Sequence, residues 1–134
     1  MPRITDFSPL GGGVYLFVSW LKPHEITIPF SFRVGFKLDG IDKIYTVDAG
    51  LVTDLASIPR PIQGWLIEKL GAHMLPAVIH DHMCVTKWET YELAAEVFDA
   101  AMQYCRLPES TRHVMHSAVL RFGPKWGKIE HATG

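Results

Sequence analysis

Phe32-Arg33-Val34-Gly35-Phe36-Lys37-Leu38-Asp39-Gly40-Ile41-Asp42-Lys43-Ile44-Tyr45-Thr46-Val47 is the stretch whose reading decides the fold. Phe32, Val34, Phe36 and Leu38 fall on one face and Arg33, Gly35 and Lys37 on the other, the period-two pattern of a half-buried strand. Asp39-Gly40 supplies a tight turn, so Ile41 to Val47 reads as the hairpin partner. The apolar face of such a hairpin must be covered, and the chain that follows offers helices to cover it.

Toward the N-terminus, residues 1 to 12 hold two prolines, and Gly11-Gly12-Gly13 leads into the apolar run Val14-Tyr15-Leu16-Phe17-Val18-Ser19-Trp20. A flexible lead-in followed by a strand is expected there. The glycines precede a strand, whereas a phosphate-cradling loop lies between a strand and a helix, so nucleotide binding is not supported. Glu25-Ile26-Thr27-Ile28-Pro29-Phe30 reads as an edge strand, because Pro29 cannot donate to a ladder. Residues 1–50 thus predict an antiparallel sheet of three or four strands.

Toward the C-terminus the period changes. Leu51 to Arg60 lacks helical spacing, and Pro59 and Pro61 forbid a central strand, so residues 51–60 read as an ordered connector. Its polar residues Thr53, Asp54, Ser57 and Arg60 suit either a loop folded over a site or local turn and cap chemistry. Residues 61–123 read as three or four helices: about Pro61–Leu70, about His73 or Pro76 to Cys84, a third through Trp88, Tyr91, Ala95, Phe98 and Met102, and a fourth from Pro108-Glu109-Ser110 to Phe122, stopped by Gly123-Pro124. Residues 124–134 form a tail with little expected order beyond Trp126. Strands and helices are segregated, which makes the expected class α+β, with the sheet packed against the C-terminal helices in a single domain spanning residues 1–134.

Bulk composition narrows the function classes. With 48% hydrophobic and 20% charged residues and a formal net charge of -1, the chain has the composition of an ordinary globular domain and lacks the basic excess of a nucleic-acid binder. No stretch approaches the roughly 18 apolar residues of a membrane span, and Met1 to Asp6 does not open a signal peptide, so synthesis in a host cytoplasm is expected. Cys84 and Cys105 have no CxxC partner and read as two buried free thiols.

The best candidate for chemistry is His80-Asp81, at the end of the apolar run Pro76-Ala77-Val78-Ile79 and followed by His82. Neutral imidazole and carboxylate both ligate zinc, manganese or iron, and an adjacent pair can also act as base and orienting acid. The same dipeptide can equally be a buried histidine held by its neighbour. Glu92, Glu96 or Asp99 from the third helix, or Asp54 from the connector, could complete a metal site. His113 and His116, at i, i+3 spacing, could add an imidazole. Glu89, Glu92, Glu96 and Asp99 otherwise form a solvated acidic stripe, and Arg106, Arg112, Arg121, Lys125 and Lys128 a solvated basic face.

Thr53-Asp54-Leu55-Ala56-Ser57-Ile58-Pro59-Arg60, followed by Ala77-Val78-Ile79-His80-Asp81 and the Ala94-Ala95-Glu96-Val97-Phe98 helix, resembles domain-of-unknown-function family 1353, a family of short bacteriophage and prophage proteins, over about residues 30 to 123. The resemblance implies a phage or prophage origin and makes Asp54, Ser57, Arg60, His80 and Asp81 the recurrent polar positions, hence the catalytic candidates. His80, Asp81 and Glu96 are the metal candidates. Where the family has A-D-x-x-F this chain has Ala95-Glu96-Val97-Phe98, which moves the carboxylate by a methylene. The H…HD…D pattern of HD-type phosphohydrolases matches His73, His80-Asp81 and Asp99 superficially, but about 50 residues of sheet leave too few helices for that scaffold.

The function expected is that of a small phage accessory protein, virion- or assembly-associated, contacting other phage proteins. The alternative is a metal-assisted hydrolase of cell wall or phosphoester, using zinc, manganese or iron at a His-Asp site. An inhibitor of host defence is a third option with no specific residue behind it. Sequence leaves the oligomeric state open.

Overall fold

A computed structural model describes residues 3–10, 19–22, 25–27, 31–47, 52–53 and 75–127, with the backbone alone for residues 19–22, 25–27 and 52–53. In order along the chain they form β1 (Ile4–Leu10), β2 (Ser19–Lys22), β3 (Glu25–Thr27), β4 (Phe32–Leu38), β5 (Ile41–Val47), β6 (Val52–Thr53), α1 (Leu75–Thr86), α2 (Tyr91–Tyr104) and α3 (Glu109–Phe122). The arrangement is α+β, with an antiparallel sheet in the order β1-β4-β5 followed by the three C-terminal helices. A second small sheet has the order β2-β3-β6.

The β4–β5 hairpin forms as its alternation demands. Phe32, Val34 and Phe36 are buried and Leu38 is half-buried against the core. Leu38 pairs with Ile41, leaving a two-residue loop in which Asp39 and Gly40 both take positive φ (50° and 82°), the geometry that keeps the strands' right-handed twist. On β5, Tyr45 and Val47 point into the core while Ile41 and Ile44 stay exposed.

Two expectations for the N-terminal half need correction. The stretch expected to be a flexible lead-in contains β1, which pairs antiparallel with β4 from Ile4↔Leu38 to Leu10↔Arg33. As a strand at the sheet's edge it tolerates Pro9. Its alternation is hidden by a bulge between Thr5 and Ser8, where Asp6 takes φ 56°; the extra residue shifts the inward parity from Ile4 to Phe7, so both pack on the core. The segment expected as an edge strand through Pro29 is instead the middle strand β3, flanked by β2 and β6. It ends at Thr27, so Pro29 takes no part in its ladder. The connector likewise opens with β6, an edge strand lying before its prolines. Of the expected Val14–Trp20 strand only Ser19 and Trp20 are described, and the expected helix at about 61–70 falls outside the described residues.

The helices follow their sequence signals except at Trp88, which was expected within the third helix but lies before its cap Thr90, where its N–H closes the end of α1. Pro76 sits in the first turn of α1, where its missing N–H is harmless. Thr90 caps α2, its Oγ1 accepting from Leu93 N–H at 3.2 Å. α1 and α2 stop in the same way: Trp88 N–H donates to Met83 O (3.0 Å), Leu107 N–H donates to Met102 O (3.1 Å), and Lys87 and Arg106 before them take φ 51° and 64°. These are six-to-one closures with a left-handed residue, usually glycine, filled here by two long basic side chains. Trp88 then joins the layers, meeting Phe36 and Tyr45 edge-on at 5.9 and 5.8 Å. The tail ties this corner down, since Trp126 Nε1 donates to Trp88 O (3.1 Å) and Tyr91 N–H donates to Trp126 O (3.3 Å). Among the described residues no helix is long and apolar enough to cross a membrane.

Candidate functional site

α1 carries the site candidates at the centre of the molecule. All nine residues from Leu75 to Met83 are buried, so the helix is enclosed around its circumference over these residues and opens to solvent only in its last turn, at Val85 and Thr86. Residues on successive positions are about 100° apart, so His80, Asp81 and His82 spread over more than half of that circumference. All three are nevertheless only 3%, 5% and 8% exposed. A buried ionisable group needs a polar partner or must stay neutral, and here this applies on three sides of one helix.

His80 rests against Phe98 of α2, ring centroids 5.0 Å apart, and its Nε2 and Nδ1 lie 3.8 and 3.9 Å from Cys84 Sγ one turn on. Burial pushes its pKa down to about 4, so it is a neutral imidazole at pH 7. His82 faces the sheet, where Tyr45 Oη lies 2.5 Å from its Nδ1 and 3.3 Å from Thr86 Oγ1. Thr86 Oγ1 in turn donates to His82 O at 3.0 Å. The Tyr45 and His82 rings also meet edge-on at 5.4 Å. Tyr45, His80, Asp81, His82 and Cys84 all make further interactions, so the whole cluster is engaged.

A second polar group lies between α2 and α3. His116 Nε2–H donates to Glu96 Oε1 at 3.0 Å, and Arg112 Nη1 donates to both carboxylate oxygens of Asp99 at 3.2 Å. Asp99, Glu109, Arg112, His113 and His116 line a cleft of about 160 Å³. Glu89 and Glu92 are exposed as a solvated stripe requires, but Glu96 and Asp99 are half-buried cross-links to α3, and Arg112 is 17% exposed and leaves the basic face to pair with Asp99. The cause is helix packing: Ala94, Ala95 and Ala101 are buried with almost no side-chain bulk, which lets the flanking polar residues reach the neighbouring helix.

Of the residues singled out from sequence, His80 and Asp81 are both buried on α1, and Glu96 is turned to His116. Asp54, Ser57 and Arg60 lie outside the described residues. Among the described residues no three His, Cys, Asp or Glu side chains form a group that could hold a metal ion. Cys84 and Cys105 are free thiols, as expected, but half-buried where burial was expected, and partial burial pushes the Cys105 thiol up. Sequence reasoning missed Tyr45 and Thr86. The signal for Tyr45 was available, because it shares the inward parity of Val47 and is the one inward residue of β5 with a hydroxyl that must find a partner once buried.

The family model described as "Protein of unknown function (DUF1353)" matches residues 30–119. That span holds the β4–β5 hairpin, α1, α2 and most of α3, so both polar clusters lie within it. The chain belongs to this family. No curated protein and no solved structure matches it.

Proposed function

We propose that this DUF1353 member is a small accessory protein of bacteriophage or prophage origin that works through protein contacts, in or on the particle or during its assembly. The observation that carries this is β5. Ile41 and Ile44 are 62% and 64% exposed on it, and Ile44 borders a groove of about 320 Å³ on the sheet face turned away from the core. By alternation Ile41 shares the core-side face of β5 with its pair Leu38 and Ile44 shares the outer face with its pair Gly35, so this edge strand exposes an apolar side chain on each side, and Ile44 is the one that borders the groove. The polar cluster on α1, by contrast, is enclosed by the protein's own packing. Mass spectrometry of gradient-purified particles, and of assembly intermediates, from a phage that encodes the protein tests the proposal. The protein is expected to cosediment with one of these fractions; its confinement to the unassembled soluble fraction would contradict it.

A second reading is favoured by one specific feature, the run of three buried ionisable residues with a neutral imidazole among them: hydrolysis of cell wall or a phosphoester at the His80–Asp81 pair. His80 and Cys84, one turn apart, are both zinc-type donors. An imidazole with a pKa near 4 is a weak base at pH 7, so this chemistry would need a bound ion to activate water. Elemental analysis of untagged protein decides: near-stoichiometric zinc, manganese or iron that is lost in a folded His80→Ala variant supports it, and metal-free protein removes it.

A further inference from the structure

We propose that the free edge of β5 pairs antiparallel with β5 of a second copy of this chain about a two-fold axis, Ile44 opposite Ile44 of that copy. The proposal rests on the protein-contact reading and names its partner. β5 runs from Ile41 to Val47 against β4 with no bulge and no proline. The opposite edge of the sheet, β1, is blunted by its bulge between Thr5 and Ser8 and by Pro9, two devices that keep an edge from pairing. Leu38 and Ile41 close the two-residue turn, so the backbone N–H and C=O of Ile41 are turned to β4. Alternation turns those of Lys43, Tyr45 and Val47 the same way and leaves those of Asp42, Ile44 and Thr46 pointing off the edge. These three residues are exposed, and among the described residues their backbone groups have no partner on that side.

The side chains of β5 select the occupant and the register. Opposite residues in an antiparallel ladder share a face, so a two-fold axis must pass at a residue and not between two. An axis at Asp42 or at Lys43 would set like charges directly opposite each other, which destabilises the pair. An axis at Ile44, the midpoint of the seven-residue strand, pairs its whole length. Lys43 then lies opposite Tyr45, Asp42 opposite Thr46, and no like charges are opposed. The outward backbone groups of Asp42, Ile44 and Thr46 meet those of Thr46, Ile44 and Asp42 of the second copy, so the hydrogen-bonding phase agrees. The same register serves both exposed isoleucines. Ile44, 64% exposed on the outer face, gains an apolar neighbour at the axis, and Ile41, 62% exposed on the core-side face, comes opposite Val47. The exposed end of each strand thus lies along the end of the other where Tyr45 and Val47 are buried. This matching is internal to β5, which makes the contact isologous. Main-chain bonds carry the affinity when a strand is added to an edge, and one seven-residue edge gives a weak, concentration-dependent association.

Sedimentation equilibrium of the full chain from about 10 μM to about 1 mM, the range that brackets weak dissociation constants, is the test. The wild-type mass is expected to rise from 15.1 kDa toward twice that value across the range. Ile44→Lys and Ile44→Asp, both at an exposed position, are each expected to keep the wild-type circular dichroism spectrum and to stay monomeric, because each sets like charges together at the axis. An equimolar mixture of the two is expected to associate again, since residue 44 of one copy then faces the opposite charge on the other. A wild-type mass constant at 15.1 kDa, either variant associating like wild type, or a mixture that stays monomeric while wild type associates overturns the proposal. A monomeric wild type that still sediments with particles excludes the second copy as the occupant and leaves the protein-contact reading standing.

Discussion

His80 is a base that the fold holds in its neutral form. Its burial on α1 lowers its pKa from 6.5 to about 4, while the unfolded chain protonates near the ordinary value. Above pH 6.5 both states are neutral and the residue costs nothing; as the pH falls from 6.5 toward 4 only the unfolded state takes up the proton, and stability drains away by up to about 3 kcal/mol. Denaturant titrations at pH 7 and pH 4 should therefore show a larger acid loss for wild type than for His80→Gln. Equal losses in the two proteins would mean that His80 titrates normally. Tyr45 is tested separately. Removing its hydroxyl in Tyr45→Phe takes away the buried Tyr45–His82 hydrogen bond and is expected to cost about 1–3 kcal/mol with the fold intact; a change within error would show that the phenol contributes nothing there.

Helix ends carry the clearest element-scale expectation. Lys87 and Arg106 occupy left-handed positions that suit glycine, and both are exposed. Lys87→Gly and Arg106→Gly should each raise stability by up to about 1 kcal/mol, because left-handed backbone costs roughly that for an L-residue with a Cβ. The same change at exposed Gln103, a residue with helical backbone in the last turn of α2, should lower it, by up to about as much. These helices were legible in sequence because their signals are local: Pro76 in a first turn, Thr90 before an apolar period, Gly123-Pro124 at a stop. The β4–β5 hairpin was legible for the same reason. β1 was not, since the bulge at Asp6 breaks its alternation and Pro9 argues against a strand unless it is known to be at an edge. The pairing of Glu96 and Asp99 with α3 was also hidden, because helical spacing places residues on a face without saying which face the next helix covers.

At the scale of the whole molecule, one side of the β1-β4-β5 sheet builds the core with the helices, and the other carries the exposed Ile44 beside a groove. The candidate site divided along the same line. His80 and Asp81 could be picked out by residue type and both are buried together on α1, whereas Tyr45, the partner of the neighbouring His82, comes from a strand 37 residues away, a distance no spacing rule spans. On the proposed function, contact with other proteins falls to the outer face and not to the enclosed polar cluster. Complementing a phage that lacks the gene with Ile44→Lys or with His80→Gln, and quantifying each variant in purified particles and assembly intermediates relative to its folded amount in the cell, separates the two directly. Ile44→Lys should fold like wild type and be depleted from those fractions, with His80→Gln present in proportion to its folded fraction; an Ile44→Lys variant incorporated as fully as wild type would contradict the assignment of function to this face.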